Sequence, residues 1–134
     1  MTSERPVNPR LNEDLPLEAK PGGPPRYRST TDKPVQYVTV VDPEAGSVLG
    51  YAWASDEDDA AGWVTRKAGG PRAFNEGVTW STRLHDAKER GIRPSEALAE
   101  LTREGGAGGV GQILPGSHKQ APNAATVKAL ADQA

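Results

Sequence analysis

The stretch Val35 to Val41 is rich in β-branched residues and holds Tyr37, a pattern that predicts a strand. Asp42-Pro43-Glu44-Ala45-Gly46 follows, with Asp, Pro and Gly where a type I turn favours them and Gly46 free to take positive φ. Ser47 to Ser55 then reads as the returning strand of a β-hairpin. Side chains along that strand alternate between faces. Leu49, Tyr51 and Trp53 point one way, and Val48, Gly50, Ala52 and Ala54 point the other. The small face lets a helix approach closely, and the large face can anchor a core or a partner. Two strands alone are not stable in water, so helices or further strands must cover them.

Downstream the period changes. Ser55 reads as an N-cap, and Asp56, Glu57, Asp58 and Asp59 suit the positive end of a helix dipole. Ala60, Trp63 and Val64 supply an apolar stripe, and Gly69-Gly70-Pro71 ends this short helix. Asn75 is the expected cap of a longer helix whose buried face is Trp80, Leu84 and Ala87. Gly91 suits the C′ position, with Ile92 closing a Schellman-type end. Pro94 opens a further helix with Glu96 near its start and Leu98 and Leu101 inside. Strands followed by helices predict an α+β fold: a small antiparallel β-hairpin or sheet covered by two to three short helices.

The flanks read differently. Residues 1–33 hold Pro6, Pro9, Pro16, Pro21, Pro24 and Pro25, with Val7, Leu11, Leu15 and Leu17 as the only aliphatics. Such a segment buries too little surface to offset its chain entropy, so a flexible N-terminal arm is expected. The alternative is an arm that folds on a partner through Leu11, Leu15 and Leu17. Residues 105–122 are rich in Gly and Pro and read as a flexible linker, in which Val110 to Leu114 has the makings of a short edge strand. Residues 123–134 read as a short helix capped by Asn123, with Val127, Leu130 and Ala131 on one side. The predicted ordered domain is then residues 34–104.

Composition narrows the picture. The chain has 134 residues, which leaves room for one domain at most. It has no Cys, so disulfides and thiolate metal sites are excluded. The net charge of −2 argues against a polyanion partner, so nucleic acid is disfavoured. No apolar run approaches a membrane span, and the N-terminus lacks the apolar core of a secretory signal, so a cytoplasmic protein is expected. Abundant Ala, Gly and Pro, with Arg favoured over Lys, suggest a bacterial-type protein from a GC-rich genome.

Candidate chemistry is sparse. The acidic run at 56–59 fails as a calcium loop, because the sixth and twelfth residues from Asp56 are Ala61 and Lys67. The glycines of 105–116 lack the Lys-Ser or Lys-Thr of a phosphate loop. His85 lies at the edge of the buried stripe with Asp86 and Glu89 near, but no nucleophile stands at a recognisable spacing. His118 lies in the linker, and two His without Cys give no metal site. The helices around Gly91 have helix-turn-helix spacing, with Arg83, Arg90 and Arg93 as a basic strip. Glu96, Glu100 and Glu104 on the second helix would repel phosphate, so an ordinary αα-hairpin is the expectation. Tyr37, Tyr51, Trp53, Trp63, Phe74 and Trp80 must supply the core, and any that prove exposed become binding candidates.

No cofactor is implied. The favoured expectation is a non-enzymatic module that binds another protein, with Tyr51, Trp53 and Trp63 as contact residues. One alternative is a small-molecule binder or small enzyme with Tyr51, Trp53 and His85 around an aromatic pocket. The other is a weak nucleic-acid binder that uses Arg83, Arg90 and Arg93.

Overall fold

The computed structural model of the protein describes residues 26–133. Eight elements follow in order: β1 (Val35–Val41), β2 (Val48–Ser55), β3 (Ala60–Thr65), α1 (Gly70–Glu89), α2 (Pro94–Glu104), β4 (Gln112–Ile113), β5 (Lys119–Ala121) and α3 (Ala124–Gln133). The strands form one antiparallel sheet in the order β3-β2-β1, and β4 and β5 lie end to end along the outer edge of β1. The architecture is therefore α+β, an antiparallel sheet of five strands with three helices.

The β1–β2 hairpin forms as its turn chemistry requires. Asp42 Oδ1 accepts from the Glu44 and Ala45 amides at 2.9 and 3.3 Å, and Gly46 takes φ +73°. The two faces of β2 separate two cores. Val38, Val40, Ala52 and Ala54 pack with Trp80, Leu84, Leu98 and Leu101 of α1 and α2. Val35, Tyr51 and Trp53 pack with Val127 and Ala131 of α3. The small face does receive the helices. Leu49 departs from the predicted pattern and joins the α1–α2 core, because the register shifts between Val40 and Val41 and turns the strand end over.

Residues 55–65 correct the expected helix. Asp56–Asp59 make a tight turn, with Asp59 at φ +51°, and Ala60–Thr65 return as β3 against β2. Each acidic side chain of that turn except Glu57 ties down a neighbour. Asp56 Oδ1 accepts from the Ser95 amide at 2.8 Å, Asp58 from the Thr31 hydroxyl, and Asp59 pairs with Lys88. The run is thus a set of side-chain acceptors for other elements. Asp at a turn is as natural as Asp at a helix start, and the strand pairing decides between them.

The longer helix starts earlier than Asn75. Pro71 sits in the first turn of α1, so Gly69-Gly70-Pro71 is a helix start and not a stop. Its far end is the expected one. Gly91 takes φ +79°, its amide bonds to Lys88 O, and the Ile92 amide bonds to Ala87 O. Pro94 opens α2, where Glu96 accepts from the Arg93 amide at 3.3 Å. Asn123 Oδ1 accepts from the Thr126 amide at 2.9 Å and caps α3.

Both flanks extend the fold beyond residues 34–104. Residues 1–25 of the expected arm, with Leu11, Leu15 and Leu17, lie outside the described residues. Residues 26–33 are held to the domain. Tyr27 is buried and donates to Ile92 O at 2.7 Å, and Arg28 forms a parallel bridge to Ala60. The expected linker, 105–122, carries β4 and β5. Three of its glycines, Gly106, Gly109 and Gly111, serve close approach: a side chain at Gly111 would meet Val40 and the Glu76 carboxylate. No helix among the described residues is long and apolar enough to cross a membrane.

Candidate functional site

β3 is an edge of the sheet, and its outer side is only partly closed. The Ala61 amide is taken by Arg28 O at 3.0 Å, and the Lys67 amide by Ala131 O at 3.1 Å. The Arg66 amide points the other way, to Leu49 O at 2.9 Å. Strand alternation therefore aims the N–H and C=O groups of Trp63 and Thr65 outward. Among the described residues these four groups have no backbone partner. Open edge groups of this kind are a template for another strand.

An open groove of about 1380 Å3 runs along this edge. One wall is α1, through Phe74, Val78, Thr82 and His85. The other wall is α3, through Ala125 and Lys128, and Arg26 and Arg28 lie at one end. Phe74 and Val78 stand one helical turn apart and are 66% and 54% exposed. Such an apolar pair beside open backbone groups is the arrangement a partner chain needs.

Trp63 fixes the geometry of this edge. Its indole lies between β2 and α1: a Cβ on Gly50 would come within 2.5 Å of the ring, and one on Gly77 within 2.6 Å. Only glycine leaves room at both contacts. Trp63 also stacks on Trp80 at 5.9 Å between ring centroids, and its Nε1 donates to Thr65 Oγ1 at 2.9 Å. The open strand is therefore backed by a rigid aromatic stack.

The three contact residues expected from sequence are not equivalent. Tyr51 and Trp53 are only 8% and 3% exposed and belong to the α3 core, so they are not surface contacts. The large face was read as an anchor for a core or a partner, and α3 covers it. Trp53 and Trp63 both line the groove, and of the three only Trp63 is half-buried. The exposed aromatic is Phe74, which the sequence placed with the core set. Its signal was available: Phe74 and Val78 lie off the Trp80, Leu84 and Ala87 stripe, once α1 is known to begin before Asn75.

Tyr51, Trp53 and His85 do not form one pocket. Trp53 and His85 line the groove beside β3, while Tyr51 lines a separate depression of about 280 Å3 with Tyr37. The Tyr37 and Tyr51 rings meet edge to face at 6.0 Å. His85 is half-buried, and its Nε2 has no hydrogen-bond partner among the described residues. His118 Nε2 lies 2.9 Å from Gln36 Oε1, away from both.

The basic strip is neutralised along its length. Arg83 pairs with Glu104 at 2.7 Å, Arg90 with Glu100 at 2.5 Å and Arg93 with Glu96 at 3.5 Å. The Arg90 guanidinium in turn holds the Glu100 carboxyl below the usual carboxylate range. The glycine-rich loop does meet a carboxyl group, but that group is the chain's own. Glu76 is 1% exposed, and its carboxylate accepts from the Gly111 amide and from Trp80 Nε1, both at 3.0 Å. Among the described residues no group of three His, Asp or Glu side chains is placed to hold a metal ion. No family model matches the chain, and no curated protein or solved structure is significantly similar to it.

Proposed function

We propose that the protein is a non-enzymatic binding module that captures an extended peptide as an added strand on β3. The observation that carries this reading is the pair of outward-facing residues, Trp63 and Thr65, open between two closed positions and flanked by exposed Phe74 and Val78. Main-chain hydrogen bonds supply affinity in such binding, and pockets for alternate side chains supply specificity. The cytosol is the compartment we assign to it, in keeping with a chain that carries no Cys.

Two other readings have less support. Small-molecule binding rests on the Tyr37–Tyr51 depression, which is shallow in volume beside the groove. Nucleic-acid binding loses its cations to Glu96, Glu100 and Glu104.

The test is selection of displayed random peptides on the purified chain, followed by mapping of the binders by amide chemical shifts. Binders are expected to shift the Trp63 and Thr65 amides and to lose at least about tenfold in affinity with Phe74→Glu plus Val78→Glu, about 1.4 kcal/mol. Both side chains are exposed, so the variant keeps its fold. Binders whose shifts map elsewhere, or that ignore the double substitution, would sink the reading.

A further inference from the structure

Part of the sheet face that carries α3 stays open. In the β1–β2 register Tyr37 stands opposite Trp53 and Thr39 opposite Tyr51. Residues directly opposite in an antiparallel pair share a face. Tyr51 and Trp53 pack against α3, so Tyr37 and Thr39 lie on the α3 side too. Around them is the depression of about 280 Å3, with Leu130 of α3 in its lining.

The lining is held in place by short-range chemistry. Leu114-Pro115-Gly116-Ser117 is a turn: the Ser117 amide bonds to Leu114 O at 3.1 Å, and Gly116 takes φ +76°. Proline presets the first central angle, and glycine accepts the positive second one. The turn is pinned to β1 at a single residue. The Leu114 amide bonds to Thr39 O at 2.9 Å, and the Ser117 hydroxyl accepts from the Thr39 amide at 3.1 Å. The Tyr37 and Tyr51 rings hold each other edge to face. Leu114 nevertheless stays 44% exposed. Walls fixed in this way need little ordering when something binds.

The electrostatics of the cleft are one-sided. Lys119 of β5 pairs with Tyr37 and therefore shares its face. It is the only charged residue in the lining, where no Asp or Glu appears. Burial, then the neighbouring Tyr37 hydroxyl, raises Tyr51 above the ordinary phenol range, so at neutral pH that hydroxyl is an uncharged donor. Arg66 is near enough to Tyr51 to work against both effects, which brings a second positive field to this end of the sheet. Its buried Nε has no hydrogen-bond partner among the described residues.

One lysine and two phenols among Leu114, Pro115 and Leu130 suit a single negative charge on an apolar body. A dianion would outweigh the lysine, and a cation would be repelled. We propose that this cleft binds a small monocarboxylate with an aromatic or branched aliphatic body. Lys119 and the tyrosine hydroxyls hold the carboxylate, and Leu114, Pro115 and Leu130 cover the body. The site is separate from the β3 edge and stands or falls independently of strand addition there.

The test is titration of the full-length chain with benzoate, followed by amide chemical shifts. Benzamide and benzylamine serve as the neutral and cationic counterparts. For a ligand on the order of ten heavy atoms a Kd of about 1 mM is expected. The Tyr37, Thr39, Tyr51 and Ser117 amides should shift and saturate together. Benzamide and benzylamine should bind at least about fivefold more weakly, since a charged acceptor strengthens each hydrogen bond. Lys119→Gln should weaken benzoate at least about threefold and leave benzamide unchanged. Lys119 is exposed, so this variant keeps its fold. No saturation by about 10 mM benzoate overturns the proposal, as does equal binding of benzamide or indifference to Lys119→Gln. A benzoate response at Trp63 and Thr65 in place of the cleft residues overturns it as well and leaves the strand-addition reading untouched.

Discussion

At the scale of single residues, Glu76 carries the largest expected effect. Its buried carboxylate satisfies one main-chain and one indole donor, and both donors become orphans if it is lost. Glu76→Ala should cost about 3 kcal/mol, and Glu76→Gln, which keeps one acceptor, about half of that, both read from urea unfolding. The tyrosines give a pH effect of definite sign. Burial, with Asp59 second, pushes the Tyr27 hydroxyl from 10.0 up to about 12, and burial raises Tyr51 as well. The folded state therefore ionises later than the unfolded one. The stability from these groups is complete below pH 10 and is lost as pH rises toward about 12. Tyr27→Phe should flatten that alkaline decline, which a series of denaturant midpoints between these pH values would reveal. The sequence made Tyr27 look like part of a tail, because one aromatic among prolines and polar residues carries no periodic signal. Its burial depends on Ile92 O, 65 residues away along the chain. Trp63 lines the groove from an element other than the one expected. The pattern gave it a helical stripe, and the structure gives it a strand whose ring needs Gly50 and Gly77, a fit that no local pattern encodes.

At the scale of elements, termini were more legible than types. The Gly91 stop, the Pro94 start and the Asn123 cap all follow from residues within one turn of the boundary, and each is found as expected. The run 56–65 failed because acidic residues before an apolar stripe satisfy both helix-start and turn chemistry. Only pairing with β2, a tertiary fact, separates them. The same turn then acts on α2. Asp56 accepts from both the amide and the hydroxyl of Ser95, so the β2–β3 turn caps a helix 39 residues downstream. Asp56→Ala should lower stability by about 1 kcal/mol and loosen the first turn of α2, visible as faster exchange at its leading amides. Asp56→Asn should recover part of the loss, since an acceptor oxygen remains.

At the scale of the whole molecule, the two sheet edges are treated differently. The β1 edge is closed by β4 and β5, while the β3 edge keeps Trp63 and Thr65 open beside Phe74 and Val78. The fold class was legible in the sequence, but the burial of Tyr51 and Trp53 under α3 was not, nor was the open β3 edge, since an edge exists only once strand order is known. The closed edge has its own consequence, which concerns time. β5 pairs with Val35, Gln36 and Tyr37 through residues 119–121, near the end of the chain. On the ribosome, at about 5–20 residues per second, β1 waits several seconds for that strand to be made. Through that interval the nascent sheet has two open edges instead of one, and the β-branched run at 35–41 is one of them. The C-terminal segment thus acts as the last guard against strand pairing between neighbouring nascent chains, and a chain that stops before residue 119 is the form most prone to aggregate.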